Sequence, residues 1–442
     1  MKIQLSDHFT YAKLLRFAAP SICMMIFTSV YWIVDGLFIA KYAGVTSFAA
    51  INLVWPFIMV FSSIGFMLGS GGNALVAKTL GEQRKIRANR IFSLLIYTTF
   101  ILGILLSAIS LVLLEPLLLV FGAGGDLLSE SLKYGRILLP FISFSMLQYI
   151  FQCLFVTAER PIFGFVVTFV VGITNIILDA LFIVHFQLGI SGAAIATAIS
   201  WGIGCLIPLL YFALPNTTSL RLGKTGFYAG ALLKICSNGL SEFVSVISQS
   251  VVCALYNYQM LRIAGERGIA AYGIIAYLSF IFIAVFLGYS FGTAPVVSYH
   301  YGAGNKSELK NLSFKNLVII GIFALILTSC SEIFAHQLIA VFAHDNLALA
   351  KMAVHGFRIF ALSFLLSGFS LYASAFFTAL NNGLVSAVIS CCRTLLFECL
   401  SVIILPIFFG LSGIWAAIIV AEVMAVSISA VFFIKLRPQY GY

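Results

Sequence analysis

The sequence predicts an all-α polytopic membrane protein: twelve transmembrane helices in two six-helix lobes related by a pseudo-twofold axis along the membrane normal. Three observations predict it. The 442-residue chain is 62% hydrophobic and only 9% charged, with a mean hydropathy of +1.09, whereas a soluble domain is about 25% charged. Apolar runs of roughly 20 residues or more, enough to cross a bilayer, recur twelve times. The two halves of the chain also match each other at one constant shift of 221 residues.

The elements follow in order. The opening MKIQLSDHFTYAKLLRFAAP carries Asp7 and His8 and lacks a small-residue cleavage site after a short apolar core. It is therefore no secretory signal and reads as a short cytoplasmic helix leading into the first span. Spans are expected near 14–40, 48–77, 91–114, 137–158, 162–184, 190–214, 235–261, 269–298, 312–334, 358–380, 384–408 and 411–434. GSGGNA (69–74) in the second span has no preceding strand and no following GK[ST], so it is no phosphate loop. It reads as a site of close helix packing. The polar, basic stretch 215–234 links an N-lobe, 1–214, to a C-lobe, 235–442. With the N-terminus inside, the inner face collects seventeen Lys and Arg, among them Lys2, Lys13, Arg16 and the cluster from Lys78 to Arg90. The outer face collects seven. This bias places both termini in the cytoplasm and the chain in the cell (inner) membrane.

The repeat is local as well as global. KYAGVTSFAA (41–50) lies over RIAGERGIAA (262–271), and GGNALVAKTLG (71–81) over GTAPVVSYHYG (292–302). FVTA (155–158) lies over FFTA (376–379), and GISG (189–192) over GLSG (410–413). Six helices is an even number, so the copies share one orientation, a parallel repeat of the kind several transporters use. Two such lobes enclose a cleft that rocking exposes to each side in turn. No H-E-x-x-H, nucleotide signature or Ser/His/Asp constellation is present, which argues against an enzyme and against an ATP motor in this chain. The nine scattered cysteines read as small packing residues rather than disulfides or zinc ligands. The net charge of +10 reads as loop anchoring to the lipid bilayer and not as a nucleic-acid surface. No cofactor is expected, and the chain is expected to be a monomer.

Charged groups inside spans cost about 2.5–3.5 kcal/mol on insertion scales and so mark function. In GITNIILDALFI (172–183), Asn175 and Asp179 are four apart and share a helix face. Counting back from the outer ends of their spans, Asp35, Asp179 and Thr197 all fall roughly 9–10 Å below the outer boundary. Asn175 lies a turn deeper, and Tyr31 lies a turn below Asp35. Two carboxylates close together in low dielectric cannot both ionise cheaply, so the layer suits a proton. Its carboxylate, amide and hydroxyl oxygens equally suit Na+. The plainer reading of Asn175 and Thr197 is hydrogen bonding between helices.

The layout resembles the multidrug and toxic compound extrusion (MATE) family, in its DinF-like branch. The likeness spans nearly the whole chain through SVYWIVDGLFIAKYAG (29–44), NIILDALFI (175–183) and GISGAAIATAIS (189–200), with Pro20 fifteen residues before the first acid. The resemblance implies a cation site made by Asp35, Asn175, Asp179 and Thr197, supported by Tyr31 and by Gln152 at a helix-4 amide position. It implies a bend of helix 1 at Pro20. It implies antiport of amphipathic, often cationic compounds against H+ or Na+.

The second half does not copy this layer: at the 221 shift Asp35 meets Tyr256, Asn175 meets Leu396 and Asp179 meets Leu400. It carries Glu242, Arg393, Glu398 and Glu422 instead. These form either an ion pair bonding helices 11, 12 and perhaps 7, or a substrate or ion contact at the cleft. The expected function is thus a secondary active multidrug efflux transporter. The rivals are a lipid-linked saccharide flippase of the same superfamily, for which an anionic N-lobe site is a poor match, and a channel or scaffold without coupled transport.

Overall fold

The computed structural model of the protein describes residues 3–343 and 347–442; Lys2, counted above among the inner basic residues, lies outside them. The described residues are mostly helical, with no strand among them. Among the described residues nine helices are long and apolar enough to span a membrane, and a tenth span is the pair Leu347–Ala361 and Phe364–Ala379, bent by 50°. Two of the nine are each two spans. Ala229–Gly302 is broken at Gly265 (φ 63°) and Cys399–Tyr440 at Gly410 (φ 55°). Twelve spans result: α1 Tyr11–Ala43, α2 Val45–Gly81, α3 Lys85–Val120, α4 Gly125–Thr157, α5 Pro161–His185, α6 Gly189–Ala213, α7 229–264, α8 266–302, α9 Lys306–Phe342, α10 347–379, α11 383–409 and α12 411–440.

The break glycines explain two of the repeated motifs. Gly44 and Gly265, in the AG pairs, both have positive φ, as do Gly189 and Gly410 in GISG and GLSG. Only glycine enters that region without steric cost, so each motif marks the same tight turn in each half, at the end away from the termini.

Three boundaries differ from expectation. α4 starts at Gly125, not 137, because its first turns are amphipathic: Asp126, Glu130, Lys133 and Arg136 lower the hydropathy of a helix whose other face buries Ser131, Tyr134 and Leu138. α10 likewise starts early. α7 begins at Ala229, so the linker is shorter than 215–234. It runs along α3, with Arg221 N donating to Asn89 Oδ1 at 2.9 Å and Gly223 N to Ser93 Oγ at 3.0 Å. The chain start is also not a helix. Residues 3–10 form a non-helical strap, and Thr10 then caps α1 by accepting from Lys13 N.

Two large buried apolar clusters and a small one (Phe397, Ala421, Ala425) are found among the described residues. Of the large ones, one draws on residues from Ile39 to Ile235. The other spans Val252 to Tyr442 and also takes Leu5, Phe9, Leu14, Phe17 and Ala18, so the start of α1 packs with the second half. The strap grips both halves. Leu5 N donates to Glu159 Oε1 (2.9 Å), Phe9 N donates to Glu308 Oε1 (2.9 Å), and His8 Nδ1 lies 2.6 Å from Glu308 Oε2.

Between the halves, glycines bring backbones into contact on the side that carries the termini. A methyl on Gly239 of α7 would stand 1.8 Å from Met67 O of α2, and one on Gly71 would stand 2.0 Å from Ile235 O. The 221 shift turns this pair into Gly292 and Ala18, and a methyl on Gly292 would lie 3.0 Å from Ala18 Cα. Gly81 and Gly302 repeat the pattern at the ends of α2 and α8, where a methyl on each would stand 2.0 Å from a carbonyl oxygen of the other helix. GSGGNA is thus a packing motif, as its composition suggests. Toward the opposite side, Gly36 and Gly273 have no neighbour within 4 Å of an added methyl.

Candidate functional site

α5 presents one buried face made of Gly172, Asn175 and Asp179, spaced by a helical turn each. Gly172 has no side chain because the rings of Phe27 and Tyr31 from α1 lie where a methyl would go. α1 therefore packs directly on this face. Asp179 is the last residue before a π-helical stretch, Ala180–His185, and α1 also turns π-helical, at Ile39–Ala43, one turn after Asp35. Such bulges re-aim side chains and concentrate at functional sites.

The structure sets Asp35 and Asp179 close enough for each to act on the other's charge. Asp179 is fully buried, and neither of its oxygens has a hydrogen-bond donor; Asp35 Oδ1 also has none. Carboxylate oxygens are acceptors only, and a buried acceptor without a donor costs about 1–3 kcal/mol or more when charged. Two such groups face to face can be satisfied by one proton held between them or by a cation that both coordinate. Asn175 is buried a turn away, and Thr197 on α6 is half-buried. Tyr31 is buried close enough to Asp35 to feel its charge.

Sequence reasoning missed Tyr134. It is 1% exposed and lies within electrostatic range of both Asp35 and Asp179. It was hidden because it sits in the amphipathic start of α4, outside the expected span. Gln152 does not join the layer: its Nε2 donates to Thr168 Oγ1 at 3.1 Å. Thr168 is eleven residues before Asp179 on α5, roughly 16 Å away along the axis. Pro20 lies within α1 at the level of the inter-half contacts, and α1 is continuous through it.

In the second half, Arg393 Nε and Nη2 hold Glu422 Oε1 at 2.8 and 2.6 Å, and Ser370 Oγ of α10 donates to Glu422 Oε2 at 2.6 Å. The ion pair therefore bonds α11, α12 and α10. Glu242 of α7 takes no part in it. Glu242 faces Tyr149 and Cys153 of α4 across the boundary between the halves.

The MatE family model matches this chain twice, over residues 20–181 and 243–404. Multidrug export protein MepA of Staphylococcus haemolyticus is 24% identical over 432 residues, covering 97% of this chain and 94% of that protein. MepA of Staphylococcus aureus is 22% identical over 438 residues, with the same coverage. Among solved structures, a crystal structure of MATE in complex with MaL6 superposes with a TM-score of 0.92 at 22% identity, covering 98% of this chain and 97% of that one. An outward-facing multidrug resistance MATE family transporter of the MOP superfamily gives 0.93 at 21%, with the same coverage. At these identities the solved structures establish the fold.

Proposed function

The chain belongs to the MatE family, and from that premise we propose that it is a secondary active multidrug exporter. It exchanges inward-moving H+ or Na+ for outgoing amphipathic, often cationic compounds by alternating access. The observation that supports the coupling is that buried oxygens of Asp35 and Asp179, two acids near enough to act on each other, have no donor. Asn175 and Thr197 add an amide and a hydroxyl oxygen to this cation site, while Tyr31 and Tyr134 line it. The names of the MepA relatives, multidrug export proteins, support the substrate class.

The chain lies in the cell membrane as a monomer, with both termini in the cytoplasm. Helices α1–α6 and α7–α12 act as the two lobes. Their glycine contacts then close the cytoplasmic end, and the cleft opens outward. A cation enters from outside and settles between Asp35 and Asp179, α1 bends near Pro20, and the compound leaves. One elementary charge moving through 100 mV supplies about 2.3 kcal/mol, enough for roughly a fiftyfold gradient of a neutral solute.

The test is efflux of a lipophilic cationic dye from proteoliposomes under a pH gradient and a sodium gradient imposed separately. Wild-type protein should respond to at least one. Asp35→Asn and Asp179→Asn should insert normally and lose the response. Gradient-driven efflux at the wild-type rate in both variants would sink the proposed coupling.

A further inference from the structure

The segment between α6 and α7, residues 214–228, is pinned to the first half. Besides the bonds from Arg221 N to Asn89 and Gly223 N to Ser93, Thr225 Oγ1 donates to Arg90 O at 2.9 Å. The Tyr97 hydroxyl donates to Gly223 O at 3.3 Å. Leu220 is fully buried, and Leu222 N donates to Phe212 O of α6 at 2.9 Å. The linker is thus a fixed ledge along the start of α3, on the side that carries the termini.

The ledge gathers positive charge that nothing in the chain neutralises. Lys85, Arg87 and Arg90 of α3 and Arg221 and Lys224 of the linker are all exposed. None of the five has an acidic partner among the described residues, whereas Lys13, Arg84, Lys133 and Arg136 each do. The sequence holds no acid from residue 83 to 114 or from 180 to 241. The Arg221 guanidinium is oriented by one corner, Nη2 donating to Asn216 O at 2.6 Å. Its other corners make no hydrogen bond among the described residues, which leaves a fork suited to a phosphate.

Large apolar groups rim the same ledge. Phe227 is 78% exposed, and Ile86 and Leu233 are exposed with it. The depth explains them. α3 has 36 residues, about 54 Å of helix, against a hydrocarbon core of about 30 Å. Shared between both ends, the excess puts roughly the first two turns of α3 among headgroups. The ledge touches α3 from Asn89 to Tyr97, where headgroups give way to acyl chains. Tyr97 and Tyr228 are half-exposed at that level, as aromatic side chains at a membrane interface are.

We propose that the linker and the start of α3 bind an anionic phospholipid of the leaflet facing the termini. Its phosphodiester lies among Arg90, Arg221 and Lys224, and its acyl chains run past Tyr97 and Phe227. A free phosphate on this open surface keeps its water and gains nothing from the aromatic rim; a lipid uses both. The hydrogen bonds to Asn89, Ser93 and Arg90 O fix the ledge before any lipid arrives. The assignment does not depend on which ion or compound the chain moves.

The test uses the full chain carrying Phe227→Trp in phosphatidylcholine micelles. Its emission, less that of the wild type, is titrated with dibrominated phosphatidylglycerol or dibrominated phosphatidylcholine. With about fivefold per cation and three cations engaged, the glycerol lipid should half-quench at about a hundredfold lower mole fraction. Adding Arg87→Gln, Arg90→Gln and Lys224→Gln should bring the two lipids level and leave quenching by phosphatidylcholine unchanged. Lys224→Gln alone, the mildest change, should weaken the preference about fivefold. Lys306→Gln, Lys310→Gln and Lys435→Gln together remove as much charge from the other half and should leave the preference intact. Equal quenching by the two lipids in Phe227→Trp would overturn the assignment. So would an equal loss in both triple variants, which means diffuse charge, or displacement of the glycerol lipid by inorganic phosphate, which means an anion site without a lipid.

Discussion

Replacing Gly239 by alanine places a methyl carbon 1.8 Å from the carbonyl oxygen of Met67 and 3.0 Å from the amide nitrogen of Gly71. Both neighbours are backbone, so no side chain can swing away. Methyl carbons do not approach closer than about 3 Å, so α2 and α7 must part by at least about 1 Å. Packed interfaces answer overpacking of this kind at about 1–3 kcal/mol or more. In the proposed cycle this contact breaks when the two halves part, so the penalty falls on the closed conformation alone. The ratio of closed to open should drop by about 5–150-fold. Cross-linking measures it: in a background free of the nine native cysteines, Gln83→Cys and Tyr299→Cys replace side chains that are hydrogen-bonded at 3.0 Å across this boundary. The Gly239→Ala variant should cross-link far more slowly than its parent and export poorly. Gly273→Ala is the control, since nothing lies within 4 Å of the added methyl. Equal cross-linking and efflux in the two alanine variants would refute the claim that this contact opens and closes in the cycle.

Other outcomes follow from the same structure. Arg393→Met leaves Glu422 buried and unpaired, and should lower stability by about 3–5 kcal/mol, read as a melting temperature in detergent; adding Glu422→Leu should restore most of it. Glu308→Ala removes the acceptor of Phe9 N and Asn311 Nδ2. It should speed proteolysis of residues 3–10 and slow the Gln83–Tyr299 cross-link. Tyr134→Phe keeps the ring and removes a hydroxyl near both acids, so the pH profile of efflux should shift while dye affinity stays unchanged. A change in affinity alone would place Tyr134 outside the coupling layer.

Much of this molecule was legible in its residues because a bilayer leaves few choices. The twelve apolar runs, the 221-residue register and the convergence of α1 on α5 all follow from length and period. Counting depth from the span ends pairs Asp35 with Asp179, and the structure sets them near enough to act on each other's charge. The same counting failed where span ends were misjudged. Asp126, Glu130, Lys133 and Arg136 make the start of α4 look like a loop, and Tyr134 went unseen with it. Gln152 stands out as an amide inside a span but no depth places it, and it bonds Thr168 well below the acids. The opening residues looked helical, yet a helix there would not present Leu5, His8 and Phe9 to acids on two different halves. Only tertiary contacts decide that, and no periodicity encodes them.

The strap at the chain start sets a leash length. Its grip on Glu159 is at Leu5 and its last grip on Glu308 is at Phe9. Those four residues reach about 14 Å when fully drawn out. Adding about 3 Å of hydrogen bond at each end, the carboxylates of Glu159, after α4, and Glu308, at the start of α9, cannot separate beyond about 20 Å while both grips hold. Any wider stroke must first drop one of them. The side that lets go decides whether these residues travel with the N-terminal or the C-terminal lobe.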